Sequence, residues 1–124
     1  MSREEFEALD AGELKHILAN SFRIDVNGWI HVGLHGDPYQ IGFQNGYLLS
    51  REMEDTIENL KLYVKGTYNR DWEFFRKTGM QLYWPKLSEE YRAEIRGIVE
   101  GARARQDTGV SLEDVVALNG YWDT

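Results

Sequence analysis

At 124 residues the chain is one domain's worth, enough for a modest core. A hydrophobic fraction of 42%, with 4 Trp, 7 Tyr and 5 Phe, excludes a disordered chain, while 14 basic and 21 acidic residues (net charge −7) disfavour nucleic acid or an anionic membrane as partner. There is no cysteine, which excludes a disulfide, a thiolate zinc site and a cysteine nucleophile within these residues.

The opening Met-Ser-Arg-Glu-Glu-Phe is polar and acidic, without the apolar stretch of a signal peptide, so a cytoplasmic location is the default expectation. No apolar run approaches the roughly 18 residues of a membrane span. Between Arg3 and Asn20, Phe6, Leu9, Leu14, Ile17 and Leu18 follow a loose helical pattern that Gly12 interrupts, which predicts one or two short helices. Residues 1–21 thus form a helical lead-in to a domain over 22–124.

Phe22, Ile24 and Val26 alternate with polar residues, and Asn27-Gly28 supplies a two-residue turn into Trp29–Leu34. In that register Val26 faces Trp29 and Ile24 faces His31. Both faces of the hairpin then carry apolar side chains, which suits part of a larger sheet.

Gly36 permits a sharp exit from the strand, Asp37 is a good N-cap and Pro38 takes the first helical position. A single helix is predicted from Pro38 to about Lys65, with Ile41, Leu48, Leu49, Met53, Ile57, Leu60 and Val64 in one stripe, ended by Gly66 and Asn69. Gly42 and Gly46 share a face of it. Each costs about 1 kcal/mol against alanine in a helix, so the pair predicts a backbone neighbour packed very close. Glu52, Glu54, Asp55 and Glu58 form the solvated side.

A second helix is predicted near Asp71, carrying Trp72, Phe74, Phe75, Met80, Leu82, Tyr83 and Trp84 and stopped by Pro85. Ser88 caps a third, with Tyr91, Ile95, Ile98, Val99 and Ala102 as its apolar positions and Gly97 and Gly101 again four apart. Asp107-Thr108-Gly109 breaks it. Ser111 with Asp114 resembles a capping box before Val115, Val116 and Leu118. The last residues, Asn119-Gly-Tyr-Trp-Asp-Thr124, are aromatic rather than polar and read as a cut end.

Few of these residues compose a reactive site. His31 and His35, four apart on one strand, would stand about 13 Å apart, too far to share a metal ion. His16 is isolated on the surface. Gly33, Gly36, Gly42 and Gly46 lack dinucleotide-loop spacing. The acid pairs Glu89-Glu90 and Glu52-Glu54 offer no general acid/base assignment. No nucleophile–base pair can be assembled, so neither a catalytic residue nor a cofactor or metal is assigned to this chain. A stand-alone helical interaction module, using the Trp72–Trp84 aromatic block as its contact face, is the alternative reading.

Three segments, Gly36-Asp-Pro-Tyr-Gln-Ile-Gly42-Phe-Gln-Asn-Gly46, Glu94-Ile-Arg-Gly97-Ile-Val-Glu-Gly101-Ala102 and Leu112-Glu-Asp-Val-Val-Ala-Leu118-Asn119, occur in the order found in one family. From about Gly28 to Thr124 the chain resembles the N-terminal segment of the N-terminal-nucleophile hydrolases typified by isopenicillin N acyltransferase and the phospholipase-B-like proteins. The resemblance implies an α chain of a self-cleaved precursor, bound to a β chain that begins with the nucleophilic cysteine, with higher oligomers of the αβ unit possible. It implies an α+β fold, a mostly helical fragment with one hairpin, that completes a four-layer αββα sandwich. The implied activity is amide or ester hydrolysis, or acyl transfer, through a thioester on a small-molecule substrate. Asp123 and Thr124 would then form the processing site. Asn119, Tyr121 and Trp122 would line the pocket, and Tyr39 and Gln40 would seat the first long helix.

Overall fold

The computed structural model describes residues 11–68, 71–105 and 110–121. It is an α+β chain, mostly helical, with one two-stranded antiparallel sheet. The first described helix, α1 (Ala11–Leu18), includes Gly12; the part of the expected pattern before Ala11 lies outside the described residues.

Strands β1 (Phe22–Val26) and β2 (Trp29–Gly33) pair in the expected register, Val26 opposite Trp29 and Ile24 opposite His31. Asn27 and Gly28 both have positive φ (51° and 81°), the two left-handed positions that a tight hairpin turn requires. Apolar side chains on both faces remain exposed, Trp29 at 73% on one and Ile30 at 41% on the other.

After β2, Gly36 turns the chain at φ 127° into α2 (Pro38–Leu48). The Asp37 carboxylate accepts from the Gln40 backbone N–H, and the Gln40 side chain accepts from the Asp37 N–H, a complete capping box. One turn on, fully buried Gln44 ties the loop down. Its Oε1 accepts from the His35 N–H, and its amide nitrogen donates to the carbonyls of His35 and Ile17. One side chain thereby satisfies three backbone groups from two segments.

The single helix expected from Pro38 to Lys65 is instead two, α2 and α3 (Ser50–Tyr68), meeting at a kink on Leu49 (φ −118°, ψ 21°). Gly66 lies within α3; Asn69 falls outside the described residues. The kink has an identifiable cause. The Leu48 carbonyl turns outward and accepts from the Arg23 guanidinium at 2.8 Å, while the same guanidinium pairs with Glu52 at 2.7 Å. A side chain inserted at the helical ladder is a recognised source of kinks. It also lets α2 and α3 face different partners.

Helix α2 packs on α5 (Glu89–Arg105) through the two glycine pairs, which prove to be each other's partners. A Cβ built on Gly42 would lie 2.8 Å from the Glu94 carbonyl carbon, and one on Gly46 would lie 2.7 Å from that of Ile98. From the other side, Gly97 would meet the Phe43 nitrogen at 2.8 Å and Gly101 the Tyr47 nitrogen at 2.9 Å. The two backbones touch along the whole seam. Fully buried Phe43 occupies the same interface.

The main core lies on the other side of α5. Ile57 and Val64 of α3, Trp72 of α4 (Trp72–Thr78), Ile95, Ile98 and Val99 of α5, and Val115, Val116 and Ala117 of α6 (Leu112–Tyr121) form one buried cluster. Helix α4 starts just after Asp71, near where it was expected, with the Asp71 carboxylate as its cap. The coil then widens into a π turn over Gly79–Tyr83 and tightens into a 3-10 turn at Trp84–Lys86. This last turn includes Pro85, so the coil ends just past the proline and not at it. The widening brings Gly79 against Val116, where a side chain would be crowded. Ser88 and Ser111 cap α5 and α6 as their spacing indicated, the latter in a full capping box with Asp114. The expected break at Asp107–Gly109 falls outside the described residues.

Candidate functional site

A cavity of about 310 Å³ opens between α5, α6 and the π turn. Ile95, Ile98 and Val116 are its buried floor, and Leu87 adds to the wall. Tyr83, Tyr91, Glu94 and Asn119 supply its polar groups, with Tyr91 and Asn119 exposed at the rim. Its size and its apolar walls with few polar groups are those of a small-molecule pocket.

Of the residues expected at a pocket, Asn119 is on this rim. Its amide nitrogen donates to the Val115 carbonyl at 2.8 Å, which points the side-chain oxygen away from the helix backbone. Tyr121 is the last residue of α6, two positions further on; its side chain, with Trp122, Asp123 and Thr124, lies outside the described residues. Tyr91 and Glu94 carried no functional assignment in the sequence, and Tyr83 only one as part of the aromatic block. The signal was nevertheless present. Tyr91, Glu94, Ile95 and Ile98 follow the i, i+3, i+4, i+7 pattern of one helix face, with a carboxylate inside an otherwise apolar stripe.

Other polar clusters have structural work. Buried Asp114 accepts from the Trp72 indole N–H (2.8 Å) and the Ser111 N–H (3.1 Å), and the Arg76 guanidinium nitrogen Nε lies 3.2 Å away. Its carboxylate oxygens are therefore engaged in holding α4 on α6. Trp72 is core, and Trp84 is half-buried with the guanidinium groups of Arg92 and Arg96 over its ring at 5.4 and 5.2 Å. Most of the aromatic block thus faces inward, leaving Phe74 and Leu82 as its exposed members.

His35 lies beyond the end of β2, not on the strand with His31 as expected, because its backbone is held by Gln44. Among the described residues no three His, Asp or Glu side chains are grouped to hold a metal ion. No described helix is long and apolar enough to cross a membrane.

Gln40 serves the cap, as its position suggested, and Tyr39 helps seat α2 on α5. Burial, and then its hydrogen bond to the Glu100 carboxylate, push the Tyr39 phenol well above the usual tyrosine range. The folded chain therefore holds that proton more tightly than the unfolded chain does. Its contribution to stability is complete below the unfolded value of about 10 and is lost as pH rises beyond it. In urea unfolding across the alkaline range, the wild-type protein is expected to lose stability more steeply above that pH than Tyr39→Phe.

Compared with known proteins, the chain is 31% identical over 108 residues to an uncharacterized protein of Archaeoglobus fulgidus. The match takes in 78% of this chain and 17% of that protein, so the chain spans about a sixth of the relative's length. No family model and no solved structure matches.

Proposed function

We propose that this chain belongs to the α chain of a self-processed cysteine N-terminal-nucleophile hydrolase or acyltransferase. The observation that carries this reading is convergence. The three segments that resemble the family come together, α2 locked on α5 by their glycines and α6 passing the cavity with Asn119 on its rim. The hairpin, apolar and exposed on both faces, suits a sheet continued by the partner into a four-layer αββα sandwich. A similar region inside a much longer protein is compatible with a precursor origin.

In this reading the partner's N-terminal cysteine attacks an amide or ester carbonyl, and its own α-amino group accepts the thiol proton. An α-amine serves as the base because its ordinary pKa, about 7.7–8.0, is near working pH. Donors on the partner stabilise the tetrahedral oxyanion. Its collapse breaks the C–N or C–O bond and expels the amine or alcohol with the proton held by the α-ammonium. Water or another amine then attacks the thioester and releases the thiol. In the precursor the same thiol attacks the carbonyl of the residue that precedes it. This chain shapes the pocket.

Intact-mass analysis and N-terminal sequencing of the native protein test the proposal. The expected result is a second, tightly bound chain beginning with cysteine, whose alkylation by iodoacetamide abolishes hydrolysis of amide substrates. A native protein in which no chain begins with cysteine would overturn it.

A further inference from the structure

The one charged group lining the cavity is a carboxylate. Among the described residues the Glu94 carboxylate makes no hydrogen bond or ion pair. Its basic neighbours on α5 are engaged elsewhere: Arg92 donates to the carbonyls of Trp84 and Pro85, and Arg96 stacks on the Trp84 ring. One N–H of the Asn119 amide is used on the Val115 carbonyl, and its oxygen accepts no hydrogen bond among the described residues, so the residue offers the cavity an acceptor. Two phenol rings, Tyr83 and Tyr91, complete the lining. A carboxylate, an amide oxygen and aromatic faces all complement a cation carrying N–H donors. The buried aliphatic floor complements an apolar body.

We propose that this cavity binds a primary ammonium group attached to a short alkyl or aryl body. On the hydrolase reading above, that group is the amine-bearing part of the substrate or acyl acceptor. The ammonium sits between Glu94 and Asn119, and its apolar stem rests on Ile95, Ile98 and Val116. A carboxylate in the same position would face Glu94 and be repelled.

Titration calorimetry on the whole native protein, with any partner chain retained and its nucleophile alkylated, tests this with n-hexylamine, n-hexanol and hexanoate. The amine is expected to bind most tightly and the carboxylate least. Glu94→Gln should weaken the amine about tenfold, the loss of one charge-assisted contact, and leave the alcohol unchanged. Glu94→Lys should invert the preference toward hexanoate, a gain of binding that a misfolded variant cannot produce. Hexanoate binding the wild type as tightly as hexylamine, no amine binding at all, or a Glu94→Gln variant indistinguishable from wild type would each overturn the assignment. Because turnover is not read, the two proposals fail separately. Amine binding that depends on Glu94, in a protein lacking the partner cysteine, removes only the hydrolase reading. A cysteine partner without amine binding removes only this one.

Discussion

Gly46→Ala is expected to destabilise the protein by about 3 kcal/mol or more, although alanine is the better helix former. The added methyl would stand 2.7 Å from the Ile98 carbonyl carbon and 2.9 Å from the Ala102 nitrogen. Both are backbone atoms and cannot rotate away, so α2 and α5 must separate along their length. Separation opens gaps on either side of Phe43 and forfeits the close dispersion contacts of the seam. Gly101→Ala should behave alike, since its methyl meets Phe43 and Tyr47 backbone. Gly12→Ala is the control of opposite sign. On exposed α1 it should be neutral or stabilise by up to about 1 kcal/mol, since only propensity is at stake. Urea midpoints of the three variants decide the matter, and equal effects at Gly46 and Gly12 would mean the seam is not as close as described.

Asp114→Ala is expected to cost about 3–4 kcal/mol, combining a lost helix cap with a buried indole N–H left without an acceptor. Arg76 would lose its most buried counter-charge at the same time. Asp114→Asn should lie between the two, because one amide oxygen can still accept from Trp72 or from the Ser111 N–H but not from both. Tryptophan fluorescence during equilibrium unfolding reports both the stability and the loosening of α4 from α6. An effect below 1 kcal/mol for the alanine variant would show that solvent replaces the carboxylate at no cost, against its observed burial.

The features read correctly in the sequence share a short range. Asn27-Gly28 turns the hairpin, Asp37 with Gln40 caps α2, and Ser111 with Asp114 caps α6; each acts on backbone within three positions of itself. Of the residues expected at a pocket, only Asn119 lies, among the described residues, on the cavity's lining. The stripe marks Glu94 as a carboxylate on an apolar face, but a polar residue there looks the same in sequence whether it borders a cavity or bulk water.

By itself, then, the sequence determined where elements begin and turn, and that two helices each carry a side-chain-free face. Tertiary structure alone decided that those two faces meet each other, that Arg23 kinks the long helix at Leu49, and that Glu94 joins Asn119 around one cavity. Caps and turns are settled by hydrogen bonds between near neighbours. The pairing of Gly42 and Gly46 with Gly97 and Gly101 is a choice among all faces of the chain, made by the backbone contact that only the folded geometry supplies.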